Sequence, residues 1–103
     1  MTEAISIDRL VQERMGQKIH WFSEDVKLNQ LAEVMAGMAN SNGGKVIIGI
    51  SPRSQRLLGV RNPEQVIDTI FQSALEISPT LVLPVPEVVY EAGKNYIIAI
   101  IPE

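Results

Sequence analysis

The sequence contains no cysteine and a single histidine, His20. Without cysteine there is no disulfide framework and no thiolate metal site. With one histidine, a His-based catalytic triad has only one candidate base, and no G-x-S-x-G elbow accompanies it. No apolar run approaches the roughly 18 residues that a membrane span needs. The N-terminus, with Glu3 and Asp8, lacks the basic start and apolar block of a secretory signal. No membrane partner is therefore expected, and the cytoplasm is the expected location. Acid is also missing over a long stretch. Between residues 34 and 63 there is no Asp or Glu, yet Lys45, Arg53, Arg56 and Arg61 fall there. The chain as a whole carries a net charge of −3, which argues against a protein that coats nucleic acid through bulk charge. The uneven distribution leaves two readings open, a local basic patch or a solvated loop.

What the chain does contain is enough for one compact domain. It has 103 residues, 46% of them apolar, so a real core is within reach. Ile7, Leu10, Val11 and Met15 recur at helical spacing and predict a short helix over 7–15, ended by Gly16. Residues 17–23, with Trp21 and Phe22, read as a strand. Ser23 reads as the cap of a helix over 24–40, with Glu24 and Asp25 at its positive end. Leu28, Leu31, Met35 and Met38 give that helix one apolar face, which reads as core rather than as a partner groove. The apolar run 45–50 predicts a central strand covered on both faces. "LLGV" at 57–60 reads as a short returning strand after a turn at 51–56. Asn62, Pro63 and Gln65 mark a helix start, with Val66, Ile67, Ile70, Phe71, Ala74 and Ile77 on the buried face. Pro84 and Pro86 keep 80–86 out of a central strand. Residues 87–91 and 95–101 form a hairpin around Gly93 and Lys94. The predicted order is α-β-α-β-β-α-β-β, an α+β sandwich with helices packed on one sheet. The whole chain, 1–103, reads as a single domain with 1–16 as a helical extension. Its stop soon after an apolar strand suggests a piece of a longer regulator.

Few chemistries are supported by motif. "NGGK" lacks the Walker spacing, and Val46 stands where its hydroxyl residue belongs. No G-x-G-x-x-G run is present. Glu24 and Asp25 are the one neighbouring acidic pair in the middle of the chain, and helix-start charge explains them better than a metal. His20, between Ile19 and Trp21, reads as a packed or surface side chain. No cofactor and no metal is expected. The pair Gly43-Gly44 has two readings. It lets the chain leave a helix at positive φ and enter a strand at once. It also strips side chains from a corner, where backbone N–H groups could approach a phosphate.

The stretch "AGMANSNGGKVIIGI…LLGV" resembles the Schlafen/Alba-like DNA-binding domain found at the N-terminus of bacterial transcriptional-regulator-like proteins, a divergent and AAA-associated type. Ala36, Ala39, Asn40, Gly43, Gly44, Gly49, Gly59 and Val60 match its pattern in type and order, and Ser41 replaces a threonine. The resemblance covers roughly 17–103. It implies an Alba-like two-layer sandwich with one mixed sheet, in which a sheet surface and a protruding hairpin meet nucleic acid. It places Lys45, Arg53, Arg56 and Arg61 around the glycine corner and its adjoining turn, and Lys94 at the hairpin tip. Together with Asn40, Gly43 and Gly44 these are the expected nucleic-acid-binding residues. The family's strand acids are missing: His20 and Phe22 stand where Glu and Lys would fall, and Ser51 and Pro52 where an Asp would. Glu13 is the nearest upstream acid and is out of register. Metal-dependent cleavage needs clustered carboxylates, so no catalytic residue is assigned.

The expected function is a non-catalytic nucleic-acid-binding module, with DNA ahead of RNA, in a transcriptional-regulator-like protein. Two alternatives stand beside it. One is a dimerisation or docking domain without nucleic acid; a homodimer is a candidate assembly under either reading. The other is a metal-dependent nuclease.

Overall fold

The computed structural model describes residues 7–12, 18–77 and 80–103. A four-stranded sheet runs in the order β1-β2-β4-β3. β1 (Ile19–Phe22) lies parallel to β2 (Gly44–Ile48), with Ile19 beside Lys45 and Phe22 beside Ile48. β2 pairs antiparallel with β4 (Lys94–Ile101), and β4 pairs antiparallel with β3 (Glu87–Glu91). The β1–β2 connection is helical, as a parallel pair requires. It is α2 (Leu28–Ala39). The helix between β2 and β3 is α3 (Pro63–Leu75), and α1 (Ile7–Gln12) precedes the sheet.

Alternation along the central strands decides which helix goes where. Val46, Ile48, Ile97, Ala99 and Ile101 point to one face and form a core with Leu31, Met35 and Met38 of α2 and Val66, Ile70 and Ala74 of α3. Ile47, Ile98 and Tyr96 point to the other face, where Trp21 and the α1 residues Ile7 and Leu10 cover them. β2 is thus buried on both sides, as its unbroken apolar sequence predicts. Met35 and Met38 fill the core. Ser73, a buried polar residue of α3, shares its hydroxyl proton between the carbonyls of Thr69 (2.8 Å) and Leu28 (3.2 Å), which ties α3 to the start of α2.

Three local expectations need correction. The second helix begins at Leu28, not at 24. Residues 24 and 25 form a turn, in which the Ser23 hydroxyl donates to the Asp25 carboxylate. Lys27 holds the cap position, and its N–H donates to Gln30 Oε1 at 3.4 Å. The run 57–60 is not a strand. It forms no ladder, only the isolated bridges Ile50 with Leu57 and Val60 with Asn95, and the Leu58 and Gly59 N–H groups both donate to Gly49 O (2.9 and 2.8 Å). The observed order is therefore α-β-α-β-α-β-β. On α3, Phe71 is 37% exposed although it follows the apolar pattern. The start of α3 is as read: Asn62 Oδ1 accepts the Gln65 N–H at 3.3 Å, and Pro63 opens the helix. The first helix is described only to Gln12, and the expected Met15 and Gly16 end lies outside the described residues.

Candidate nucleic-acid interface

The glycine corner is built for packing. Gly43 is buried at φ +75, and a side chain there would collide with the Ile101 carbonyl oxygen. At Gly44 a Cβ would stand 2.7 Å from the Lys18 carbonyl oxygen and 3.0 Å from Met38 Sδ. The chain passes here between the start of β1 and the end of β4, and only glycine leaves room for three backbones. The neighbouring donors are already used. The Gly43 N–H donates to Met38 O at 2.8 Å, and the Lys45 N–H to Lys18 O at 2.7 Å. Asn40 closes α2 and is exposed. Lys45 is half-buried on the sheet face opposite α2 and α3, where it lines a hollow of about 120 Å³ with Glu87 and Ile100.

The arginines stand elsewhere. β2 runs five residues from Gly44 to Ile48, roughly 15 Å at the rise of a strand. The turn bearing Arg53 and Arg56 follows its far end. This separates Asn40, Gly43, Gly44 and Lys45 from Arg53, Arg56, Arg61 and Lys94, so the expected single cluster around the glycines is two groups at opposite ends of the sheet.

At the arginine end the turn is closed by its own backbone. Ser51 N–H donates to Arg56 O (2.9 Å), Gln55 N–H to Ser51 O (3.0 Å), and Ser54 N–H to Ser51 Oγ (3.3 Å). Gln55 takes φ 61 to complete it. Arg53 and Arg56 are both exposed, and neither side chain has a hydrogen-bond or ion-pair partner among the described residues. Lys94 reaches across from the β3–β4 hairpin. Its Nζ donates to Leu57 O at 2.8 Å, and its stem lies against Gly59. It brings charge to this end while holding the 57–60 run in place. Arg61 is exposed too, but it shares a cleft of about 430 Å³ with Glu24 and Asp25.

Glu24 is the residue that sequence reading misassigned. Its two carboxylate oxygens accept the backbone N–H groups of Arg61 (2.9 Å) and Asn62 (2.8 Å). It thus supplies negative charge at the start of α3, not of α2. The partners are 37 and 38 positions away, and no local pattern announces such a link.

His20 lies on the α2/α3 face of β1 with its ring centroid 4.7 Å from that of Phe22, and burial lowers its pKa below the ordinary 6.5. Among the described residues no three of His, Asp and Glu come together to hold a metal ion. Glu13 lies outside the described residues. No described helix is long and apolar enough to cross a membrane.

The family model described as Schlafen, AlbA_2 matches residues 16–103. Among solved structures, the N-terminal domain of a protein described as RecG-related, from Nitrosomonas europaea, is similar with a TM-score of 0.74 at 16% identity, over 94% of this chain and 70% of that one. The DIP2311 protein from Corynebacterium diphtheriae is similar with a TM-score of 0.57 at 17% identity, over 93% of this chain but only 24% of that one. At these identities the likeness is one of fold. No curated protein matches the sequence.

Proposed function

We propose, for a chain that belongs to the Schlafen, AlbA_2 family, the role of a non-catalytic nucleic-acid-binding module. It grips phosphates at the arginine end of the sheet. The observation that carries this reading is the pair Arg53 and Arg56. Both guanidinium groups are exposed and without a described partner, on a closed turn inside a stretch that has no acid. Arg61 and Lys94 add charge at the same end. A guanidinium with no carboxylate to satisfy it presents its fork of donors to a phosphate at little desolvation cost. The acidic remainder of the molecule discourages nonspecific coating.

DNA is the favoured ligand, and a transcriptional-regulator-like protein the favoured setting. The name of the Nitrosomonas neighbour, which links that protein to ATP-dependent DNA helicases, supports the same direction. The contacts made here are to phosphate, so they position the module rather than read sequence. Titrating labelled duplex DNA and RNA at rising salt tests the reading. Each phosphate contact contributes a slope of about −0.9 in log affinity against log salt. Three to four cations at one end predict a total of about −3. Absence of binding to both ligands at ~50 mM salt would remove the proposal.

A further inference from the structure

Among the described residues β3 is an edge of the sheet, with β4 as its one neighbouring strand. The hairpin turn is two residues long, Ala92 and Gly93, both at positive φ. Such a turn makes Glu91 and Lys94 a hydrogen-bonded pair, and pairs of that kind recur at every second position. Val89 with Tyr96 and Glu87 with Ile98 are therefore bonded to β4. Val88 and Tyr90 alternate with them and turn their N–H and C=O groups to the open side.

The side chains of Val88 and Tyr90 are uncovered as well. Val88 stands opposite Ile97, on the α2/α3 face, yet it is 46% exposed and Tyr90 is 71% exposed. α3 packs over β4. Its flank toward α2 carries Thr69, which shares a cleft with Leu31. At 100° per residue, Phe71 falls on the opposite flank, toward β3. An apolar strip of Phe71, Val88 and Tyr90 thus borders an unpaired edge. Acidic groups border it, Glu64 and Asp68 on α3 and Glu87 and Glu91 on β3, with Glu91 accepting the Ile7 N–H at 2.8 Å and facing Lys94 across the hairpin.

We propose that this edge receives an extended segment of another protein in which apolar residues alternate with Lys or Arg. The segment adds as a further strand beside β3, its main chain bonded to Val88 and Tyr90. Its apolar side chains meet Phe71, Val88 and Tyr90 on one face. On the other its cations lie near Glu87, which also borders Lys45 across the small hollow. Main-chain bonds give such a complex its affinity, and the alternate side-chain positions give it specificity. In the central register a second copy of this chain is a poor occupant. Antiparallel self-pairing centred on Val89 sets each Glu87 against the Glu91 of the other copy, and like charges directly opposite are destabilising. Nucleic acid is repelled by the same acids. The inference is independent of the arginine end.

The test uses labelled peptides of about six residues, the length of an ordinary strand. One alternates Val and Lys, and its counterpart alternates Val and Glu. Anisotropy should show saturable binding of the Val/Lys peptide alone, and the amide resonances of Val88 and Tyr90 should shift during the titration. Val88→Pro removes an outward N–H without touching the bonds to β4, and should weaken binding about tenfold. Tyr90→Lys, at a position 71% exposed, should weaken it similarly. Failure of the Val/Lys peptide to bind, equal binding of the two peptides, shifts confined to other elements, or full affinity in both variants would each overturn the proposal. So would a concentration-dependent dimer that Val88→Pro dissolves, since the occupant would then be a second copy.

Discussion

Gly44 and His20 show how single side chains decide this structure. The glycine pair is legible in the sequence as a corner, but the sequence leaves open whether the bare backbone faces a ligand or another part of the chain. The coordinates place the Lys18 carbonyl and Met38 Sδ where a Cβ would go, and the adjacent donors are already bonded within the fold. Gly44→Ala should therefore cost about 1–3 kcal/mol, the range of overpacking in a filled site, as read from urea denaturation. An unchanged midpoint would mean that the corner has slack. His20 allows a second check. Burial lowers its pKa, so the folded state favours the neutral ring. Between the ordinary 6.5 and the lower folded value, the unfolded chain binds more protons than the folded one. Stability is thus fully present above about 6.5 and falls as the pH drops through that window. His20→Gln should flatten this part of the pH–stability curve, and a slope that persists unchanged would assign it to other groups.

At the scale of elements, periodic segments were legible and contingent ones were not. Helix α3 announces itself through Asn62, Pro63 and a regular apolar face, and β2 through five residues that have no polar side once Lys45 is set apart. The false start of α2 has a clear cause: Ser23, Glu24 and Asp25 are good helix-start residues, but Glu24 is drawn to the N–H groups of Arg61 and Asn62. The "LLGV" run has strand composition, yet it meets Ile50 and Asn95 through single bridges, because the Leu58 and Gly59 N–H groups both turn to the Gly49 carbonyl and Gly59 takes φ 78. Methionine spacing on α2 reads as core rather than as a groove, and the structure agrees. Met35 is fully buried between the sheet and α3, so Met35→Ala should destabilise by about 2–5 kcal/mol. A loss below about 0.5 kcal/mol, typical of surface substitutions, would show that α2 turns this face outward.

Over the whole molecule, charge sorting is the feature that links the sequence to the proposed function. An acid-free stretch on an acidic chain was visible without coordinates, and so was the family resemblance that the match over residues 16–103 now supports. Sequence order could not reveal that β2 carries the chain from the glycine corner to the far end of the sheet before the arginines appear, nor that Lys94 comes to meet them from the hairpin. The candidate site is consequently smaller than the list of basic and glycine positions implied, and it lies at one end. Comparing two double variants against labelled duplex DNA tests that placement most directly. Arg53→Ala with Arg56→Ala should lower affinity about tenfold or more and reduce the salt slope by about 2, whereas Asn40→Ala with Lys45→Ala should leave affinity within about threefold. The reverse ranking, with the glycine-corner variant losing binding and the arginine variant keeping it, would contradict the account.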